Sequence, residues 1–230
     1  MTPVKLSILI PAYNERQTIS KLIGKLLEIK LEKEIIVIDD GSTDGTSEML
    51  CRMPEAGVLL IRHPKNQGKG AAIRTGLAHV TGDIVVIQDA DLDQDYGVIY
   101  ELLGPILTGG AQMVYGSRFL KMRPKMKAAN YAANRFLSFL TGFLYRAKVT
   151  DVETCFKAFS AGMLKSLGLK SNGFEFEIEV TAKALKRGFV LQEVPIKQEW
   201  YQENHHDSKK LNWTDGVKAV IALFRYRFRD

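Results

Sequence analysis

Short apolar runs, each closed by a polar cluster, alternate through the first half of the chain with segments whose apolar residues recur every three or four positions. Leu6–Pro11, Glu34–Asp39, Val58–Arg62 and Asp83–Gln88 have strand length and are dominated by Ile, Val and Leu. Between them Gln17–Leu27, Thr46–Arg52 and Gly70–His79 carry helical spacing; Asp95–Leu107 predicts a fourth helix and Gln112–Gly116 a fifth strand. Strands that are apolar throughout, alternating with helices, predict a parallel-type sheet covered on both faces. In such sheets ligands bind beyond the carboxyl ends of the strands. The clusters Pro11–Glu15, Asp39–Thr46 and Gln88–Asp93 fall at those ends, so they are expected to share one crevice.

From Lys121 onward the pattern changes. A basic, proline-containing stretch, Lys121–Lys127, precedes Ala128–Ala147, a helical segment dense in Phe, Leu and Tyr. Gly173–Lys186 stops at Arg187-Gly188, a helix-ending signal. A strand at Val190–Pro195, a polar loop at Gln202–Lys210 and a last helix at Thr214–Phe228 complete the chain. No internal repeat, low-complexity tract or linker divides it, which predicts one domain over 1–230 with a C-terminal extension.

Composition adds modest constraints. The 230 residues are 46% hydrophobic and 25% charged, the profile of a globular protein with a sizeable core. The formal charge of +6 admits anionic partners such as phosphates or acidic lipid. Two cysteines, Cys51 and Cys155, supply neither a disulfide framework nor a zinc cluster and fit a reducing cytoplasm. The start lacks the order of a signal peptide, and no apolar stretch approaches the roughly 20 residues that span a bilayer. The expectation is a cytoplasmic chain that is not integral to a membrane.

The segment Gln88-Asp89-Ala90-Asp91-Leu92-Asp93 carries the sharpest chemistry. Residues i and i+2 of a strand share a face, so Asp89 and Asp91 can converge on one point. Carboxylates that close repel unless a hard divalent cation, Mg²⁺ or Mn²⁺, lies between them, often also bridging the phosphates of a nucleotide. In Asp39-Asp40-Gly41-Ser42-Thr43-Asp44 the carboxylates can accept from ribose hydroxyls or a base edge, and Ser42, Thr43 or Asp44 can cap the next helix. Tyr13 can stack on a base, with Asn14 as an alternative helix cap. Lys69 opens a helix after Asn66-Gln67-Gly68, which suits a phosphate, although GxxxxGK[ST] is absent. A dehalogenase-type phosphatase would place its Asp pair near the chain start, and a response-regulator receiver would need about half this length; both readings fail.

Together Pro11–Glu15, Ile36–Thr46, Gln88–Asp93 and Gly116-Ser117-Arg118-Phe119 resemble the family-2 glycosyltransferases of GT-A fold. Thr150–Phe159, Gly173–Glu179, Glu193–Ile196, Lys209-Lys210, Trp213 and Asp215-Gly216 are similar to the dolichyl-phosphate mannose synthase branch, which includes glucosyl and polyprenyl-phosphate relatives. The resemblance implies a mixed sheet flanked by helices, with 1–120 binding a GDP- or UDP-sugar and 121–230 binding a polyprenyl or dolichyl phosphate. It implies nucleoside contacts at Pro11, Ala12, Tyr13, Glu15, Ile38, Asp40, Lys69 and Ala90, and a Mg²⁺ or Mn²⁺ site at Asp89, Asp91 and Asp93. Arg118 would face the acceptor phosphate with Lys209 and Lys210, and Asp91 and Arg118 would be the catalytic pair. Relatives often carry an Arg shortly after the aromatic residue matched by Tyr201; here Gln202–His206 follows, leaving His205 and His206 as substitutes.

A lipid monophosphate is already an anion, so its attack at the anomeric carbon needs no base and inverts configuration. A sugar hydroxyl as acceptor would need one, with Asp151 or Glu153 the candidates. That saccharide acceptor, or a nucleotide-sugar-binding protein without turnover, are the alternative functions. The aromatic stretch Asn134–Arg146 has arginines near both ends; with Lys121–Lys127 and Arg225–Arg229 it suits peripheral contact with an anionic membrane. No nucleic-acid-binding motif accompanies it.

Overall fold

The computed structural model describes residues 4–53, 57–90, 97–121, 124, 126–196 and 213–229. The first half is built as the apolar pattern predicts. Strands β1 (Leu6–Ala12), β2 (Lys33–Asp39), β3 (Val58–Arg62) and β4 (Ile84–Ile87) alternate with helices α1 (Ile19–Leu27), α2 (Thr46–Cys51) and α3 (Lys69–Leu77). Helix α4 (Val98–Leu107) and strand β5 (Met113–Ser117) follow. The proposed start of α4 at Asp95 lies outside the described residues.

Successive strand residues divide between two cores. Ile8 and Ile10 of β1 join Val37 and Val86 on the face covered by α1 and α4, whereas Leu9 joins Ile38, Val85 and Ile87 beneath α3. Helix α1 shows why its sequence is helical here: Ile19, Leu22, Ile23 and Leu26 form one buried stripe. Each such side chain, taken from water, contributes about 1.5–3 kcal/mol.

The second half adds α5 (Ala128–Tyr145), β6 (Lys157–Ser160), α6 (Ala161–Ser166), α7 (Phe176–Lys186), β7 (Leu191–Pro195) and α8 (Trp213–Phe228). The seven strands form one sheet in the order β3-β2-β1-β4-β6-β5-β7. Strand β6 is antiparallel to both of its neighbours, β4 and β5, and so makes the sheet mixed. Neither β6 nor α6 is predicted by the apolar pattern. Lys157 sits in the middle of the run Cys155-Phe156-Lys157-Ala158-Phe159, yet is wholly buried in the folded chain, where Glu177 neutralises it. A buried ion pair between distant residues therefore hides the strand in the sequence.

Helices α5, α7 and α8 share a third core around Leu137, Val152, Ile178, Ala182 and Leu223. The Tyr145 hydroxyl donates to the Leu223 carbonyl at 2.9 Å, tying α5 to α8. The opposite side of α5 is uncovered: Phe136, Phe139 and Phe143 are exposed, the last at 72%. No helix among the described residues is long and apolar enough to cross a membrane.

Candidate functional site

The polar loops at the carboxyl ends of β1 and β2 are stitched together. Asn14 and Glu15 donate their backbone amides to Ser42 Oγ and Thr46 Oγ1, both at 2.9 Å, and the Thr43 amide donates to Asn14 Oδ1 at 2.9 Å. Asn14 holds a left-handed backbone conformation (φ 59°) to do this, so it is a clamp between loops rather than a helix cap. Asp44 Oδ1 accepts from the amide of Thr46, the first residue of α2, at 3.0 Å. Gly41 has φ +73° and lies so near Lys65 that an added Cβ would stand 2.6 Å from its carbonyl carbon, which only glycine avoids. Glu15 Oε2 accepts from the Thr18 hydroxyl at 2.8 Å. Tyr13 remains 38% exposed at the lip.

Neighbouring aspartates at the end of β2 do different work. Asp39 is buried and accepts from the Ser42 amide and the Ser47 hydroxyl, so it shapes the turn. Asp40 faces the cleft and gathers the next loop, accepting from the Gln67 and Gly68 amides at 2.9 and 2.7 Å. His63 Nδ1 lies 2.6 Å from the same carboxylate, with its Nε2 3.0 Å from the Thr75 hydroxyl. Asp40 thereby presets the turn that delivers Lys69.

Lys69, the first residue of α3, reaches into the centre of the site. Its Nζ lies 2.7 Å from Asp89 Oδ1 and 2.8 Å from Glu177 Oε1. Burial opposes its charge, but Asp89 and Glu177 outweigh this and hold its pKa well above the lysine value. Glu177, on the first turn of α7, is bridged on its other oxygen by Lys157. Burial would raise the Glu177 pKa, yet the two lysines bring it below the carboxylate norm. Alternating charges in one dry cluster hold these side chains in place.

These groups line a cleft of about 340 Å³, with Pro11, Ala12, Tyr13, Glu15, Asp40, Lys69, Asp89 and Ala90 on one side. Glu153, Cys155, Phe174 and Glu177 close the other. Two of the expected contacts fall elsewhere. Ile38 is wholly buried against Leu9 and Gly76, where an added Cβ on Gly76 would lie 2.6 Å from its Cδ1, so it packs the core beneath α3. Arg118 does not line the cleft; its guanidinium forks onto Asp151, with Nε 2.7 Å from Oδ2 and Nη2 2.7 Å from Oδ1. Asp91, Asp93, Lys209 and Lys210 lie outside the described residues, as do Tyr201, Gln202, His205 and His206. Among the described residues no group of three His, Cys, Asp or Glu side chains could hold a metal ion, and of the expected ligands only Asp89 is described; its carboxylate oxygen is of the kind a hard cation takes.

Glu153 stands apart in this cluster. Its Oε1 is shut off from solvent and has no hydrogen-bond partner among the described residues. Burial, reinforced by Glu177 and Asp151 and opposed by Lys157 and Lys69, raises its pKa to about 7. The residues on either side are held: the Val152 amide donates to Ser138 Oγ at 3.1 Å and the Thr154 hydroxyl to the Gly116 carbonyl at 2.5 Å. Asp151, the other candidate base, is wholly buried and committed to Arg118. Glu177 and Cys155 had no assigned part in the sequence reading. The repeated acids of Phe174-Glu175-Phe176-Glu177-Ile178-Glu179, set among apolar residues, were the available signal for the first.

The profile described as Glycosyl transferase family 2 matches residues 7–168. The chain is 32% identical over 226 residues to the glycosyltransferase AglJ of Haloferax volcanii, a match covering 97% of this chain and 72% of that one. It is 32% identical over 214 residues to the UDP-N-acetylglucosamine–dolichyl-phosphate N-acetylglucosaminyltransferase of Methanococcus voltae, covering 83% and 84% of the two chains. Among solved structures, glucosyl-3-phosphoglycerate synthase of Mycobacterium tuberculosis, in complex with Mn²⁺, uridine diphosphate and phosphoglyceric acid, superposes with a TM-score of 0.74. That likeness covers 98% of this chain and 79% of the other at 24% identity, and is one of fold. A mixed sheet of this order, a polar cleft at its carboxyl edge and a profile match over most of the chain lead to one conclusion: the protein belongs to glycosyl transferase family 2 and has the GT-A fold.

Proposed function

We propose that this enzyme moves a hexosyl group, mannose or glucose, from a GDP- or UDP-sugar to a polyprenyl or dolichyl phosphate, with inversion at the anomeric carbon. The observation that carries the reading is the convergence of Tyr13, Asp40, Lys69 and Asp89 on one cleft at the carboxyl edge of the sheet. The similarity to a dolichyl-phosphate N-acetylglucosaminyltransferase supports the lipid-phosphate acceptor.

In this mechanism Tyr13 stacks on the base and the Asp40 loop surrounds the ribose. Lys69 balances the diphosphate. Asp89, with Asp91 and Asp93, would hold Mg²⁺ or Mn²⁺, which when bound stabilises negative charge on the departing diphosphate. A phosphate oxygen of the acceptor forms the new bond to the anomeric carbon while the bond to the diphosphate oxygen breaks and its electron pair leaves with the nucleotide. The acceptor is an anion before it binds, so no proton has to be removed. Lys209 and Lys210 would position that second anion in line, while the Arg118 guanidinium is taken up by Asp151.

A lipid acceptor also needs a surface to meet it. Phe139 and Phe143 stack at 6.4 Å on the uncovered side of α5, and Phe224 and Phe228 do the same on α8 beside Arg225 and Arg227. Aromatic side chains interleaved with cations support peripheral contact with an anionic membrane on its cytoplasmic face. The reaction is tested by incubating the enzyme with radiolabelled GDP-mannose or UDP-glucose, polyprenyl phosphate and Mg²⁺. Label entering the organic phase supports the reading; label consumed but retained in the aqueous phase, on an added saccharide, overturns the acceptor.

A further inference from the structure

The order of strands also orders the cleft. Along the carboxyl edge, Asp40 follows β2, Tyr13 follows β1 and Asp89 follows β4. Because β6 is antiparallel, the loop entering it, which carries Glu153 and Cys155, arrives at that same edge next to β4. In a GDP- or UDP-sugar the diphosphate separates the nucleoside from the sugar. With the nucleoside at β2 and β1 and the diphosphate at β4, the sugar extends over the loop that enters β6.

The Glu153 Oε1 waiting there has no hydrogen-bond partner among the described residues. Buried polar atoms are ordinarily satisfied, and an orphan calls for a physical explanation. The cluster around it does not explain this one, since Lys69 is held by Asp89 and Glu177, and Lys157 by Glu177 and the Thr154 carbonyl at 2.5 Å. The residues on either side of Glu153 are anchored, Val152 by its amide and Thr154 by its hydroxyl, so the position is set without any help from the Glu153 side chain. The terminal torsion of a glutamate is soft, and either oxygen can turn to the cleft. A carboxyl group accepts well from hydroxyls, and a hexose presents several. With an acceptor that is already anionic, the group has no proton to remove.

We infer that Glu153 is the residue that reads the transferred sugar, taking a hexose hydroxyl of the donor on its free carboxyl oxygen. The inference rests on the nucleotide-sugar reading above and assigns the sugar end of that site. It makes Glu153 a specificity-determining residue: the donor is chosen by whether a free hydroxyl reaches this carboxyl.

Calorimetric titrations of the full chain in Mg²⁺ test it, comparing UDP with UDP-glucose and UDP-N-acetylglucosamine, and GDP with GDP-mannose. The wild type is expected to bind one nucleotide-sugar more tightly than its bare nucleotide. In Glu153→Ala the bare nucleotide keeps its affinity within about twofold, while the preferred nucleotide-sugar weakens about tenfold, as expected for loss of one hydrogen bond. Glu153→Gln, which retains shape and a carbonyl acceptor, falls between them, and its Tm equals or exceeds that of the wild type because the buried Oε1 had no hydrogen-bond partner among the described residues to lose. Equal weakening of nucleotide and nucleotide-sugar, or no weakening of either, overturns the assignment while leaving the nucleotide-sugar reading standing. Unchanged donor binding with lost turnover and a shifted pH–rate profile overturns it in favour of a general base. A wild type that binds none of these ligands removes both the assignment and the reading beneath it.

Discussion

Arg118 and Asp151, 33 residues apart, form a buried two-pronged ion pair, Nε to Oδ2 and Nη2 to Oδ1, each at 2.7 Å. The carboxylate also accepts from the Arg118 backbone amide at 3.0 Å, and the Asp151 amide is in turn held by Glu193. Burial opposes the guanidinium charge, and Asp151 more than compensates, so Arg118 stays ionised. Asp151→Ala leaves that cation buried and unpaired, and is expected to cost about 3–5 kcal/mol. Combining it with Arg118→Leu should return part of the loss in urea unfolding. A double variant no more stable than Asp151→Ala alone would show that the pair is not coupled.

Lys69 holds the oxygen that a divalent cation would need. It donates to Asp89 at 2.7 Å, so Lys69→Met should raise Mn²⁺ affinity in the absence of nucleotide, read by electron paramagnetic resonance. The same variant loses the charge proposed to face the donor diphosphate, and turnover is expected to fall about 100-fold.

Asp89→Asn removes a negatively charged oxygen from the mouth of β4. Donor consumption should fall by about 100-fold or more, and excess EDTA should do the same to the wild type, with Mn²⁺ or Mg²⁺ restoring it. Full activity in EDTA would remove the cation from the mechanism.

Glu153 gives the protein a specific pH dependence. Burial lifts its pKa from 4.5 to about 7, with Glu177 and Asp151 adding to the rise and Lys157 and Lys69 opposing it. Between these values the folded protein holds the proton that the unfolded chain releases, so stability from this group is complete below pH 4.5 and declines as pH rises to 7. Glu153→Gln should abolish the decline, gaining on the wild type by at most about 3 kcal/mol between the two ends of that window. Denaturant midpoints at several pH values check this; a difference that stays flat across the window would refute it.

Phe139 and Phe143 are exposed by 69% and 72% and pack mainly on each other. Replacing both by Ser should change stability by less than about 1 kcal/mol. It should also markedly reduce flotation with phosphatidylserine-containing liposomes. Flotation equal to that of the wild type would move the membrane contact elsewhere.

Local pattern carried most of the architecture. The runs Ile8-Leu9-Ile10 and Ile84–Ile87 are apolar at every position facing either core, so burial on both sides was readable from composition alone. The clusters after β1, β2 and β4 could be assigned to one edge because parallel strands bring equivalent ends together. Lys157 shows where local pattern stopped: a charge inside a strand is tolerated only because Glu177, 20 residues on, meets it in the folded chain.

The alternation of apolar runs and polar ends thus determined the sheet, its helices and the side of the molecule on which chemistry gathers, since these follow from periodicity and strand direction. Which aspartate faces the cleft and which builds the turn, why Ile38 packs the core, and why Arg118 is bound to Asp151 were decided by tertiary structure. Those outcomes depend on partners distant in the chain and on the dielectric of the place where they meet, and neither is written in the spacing of residues.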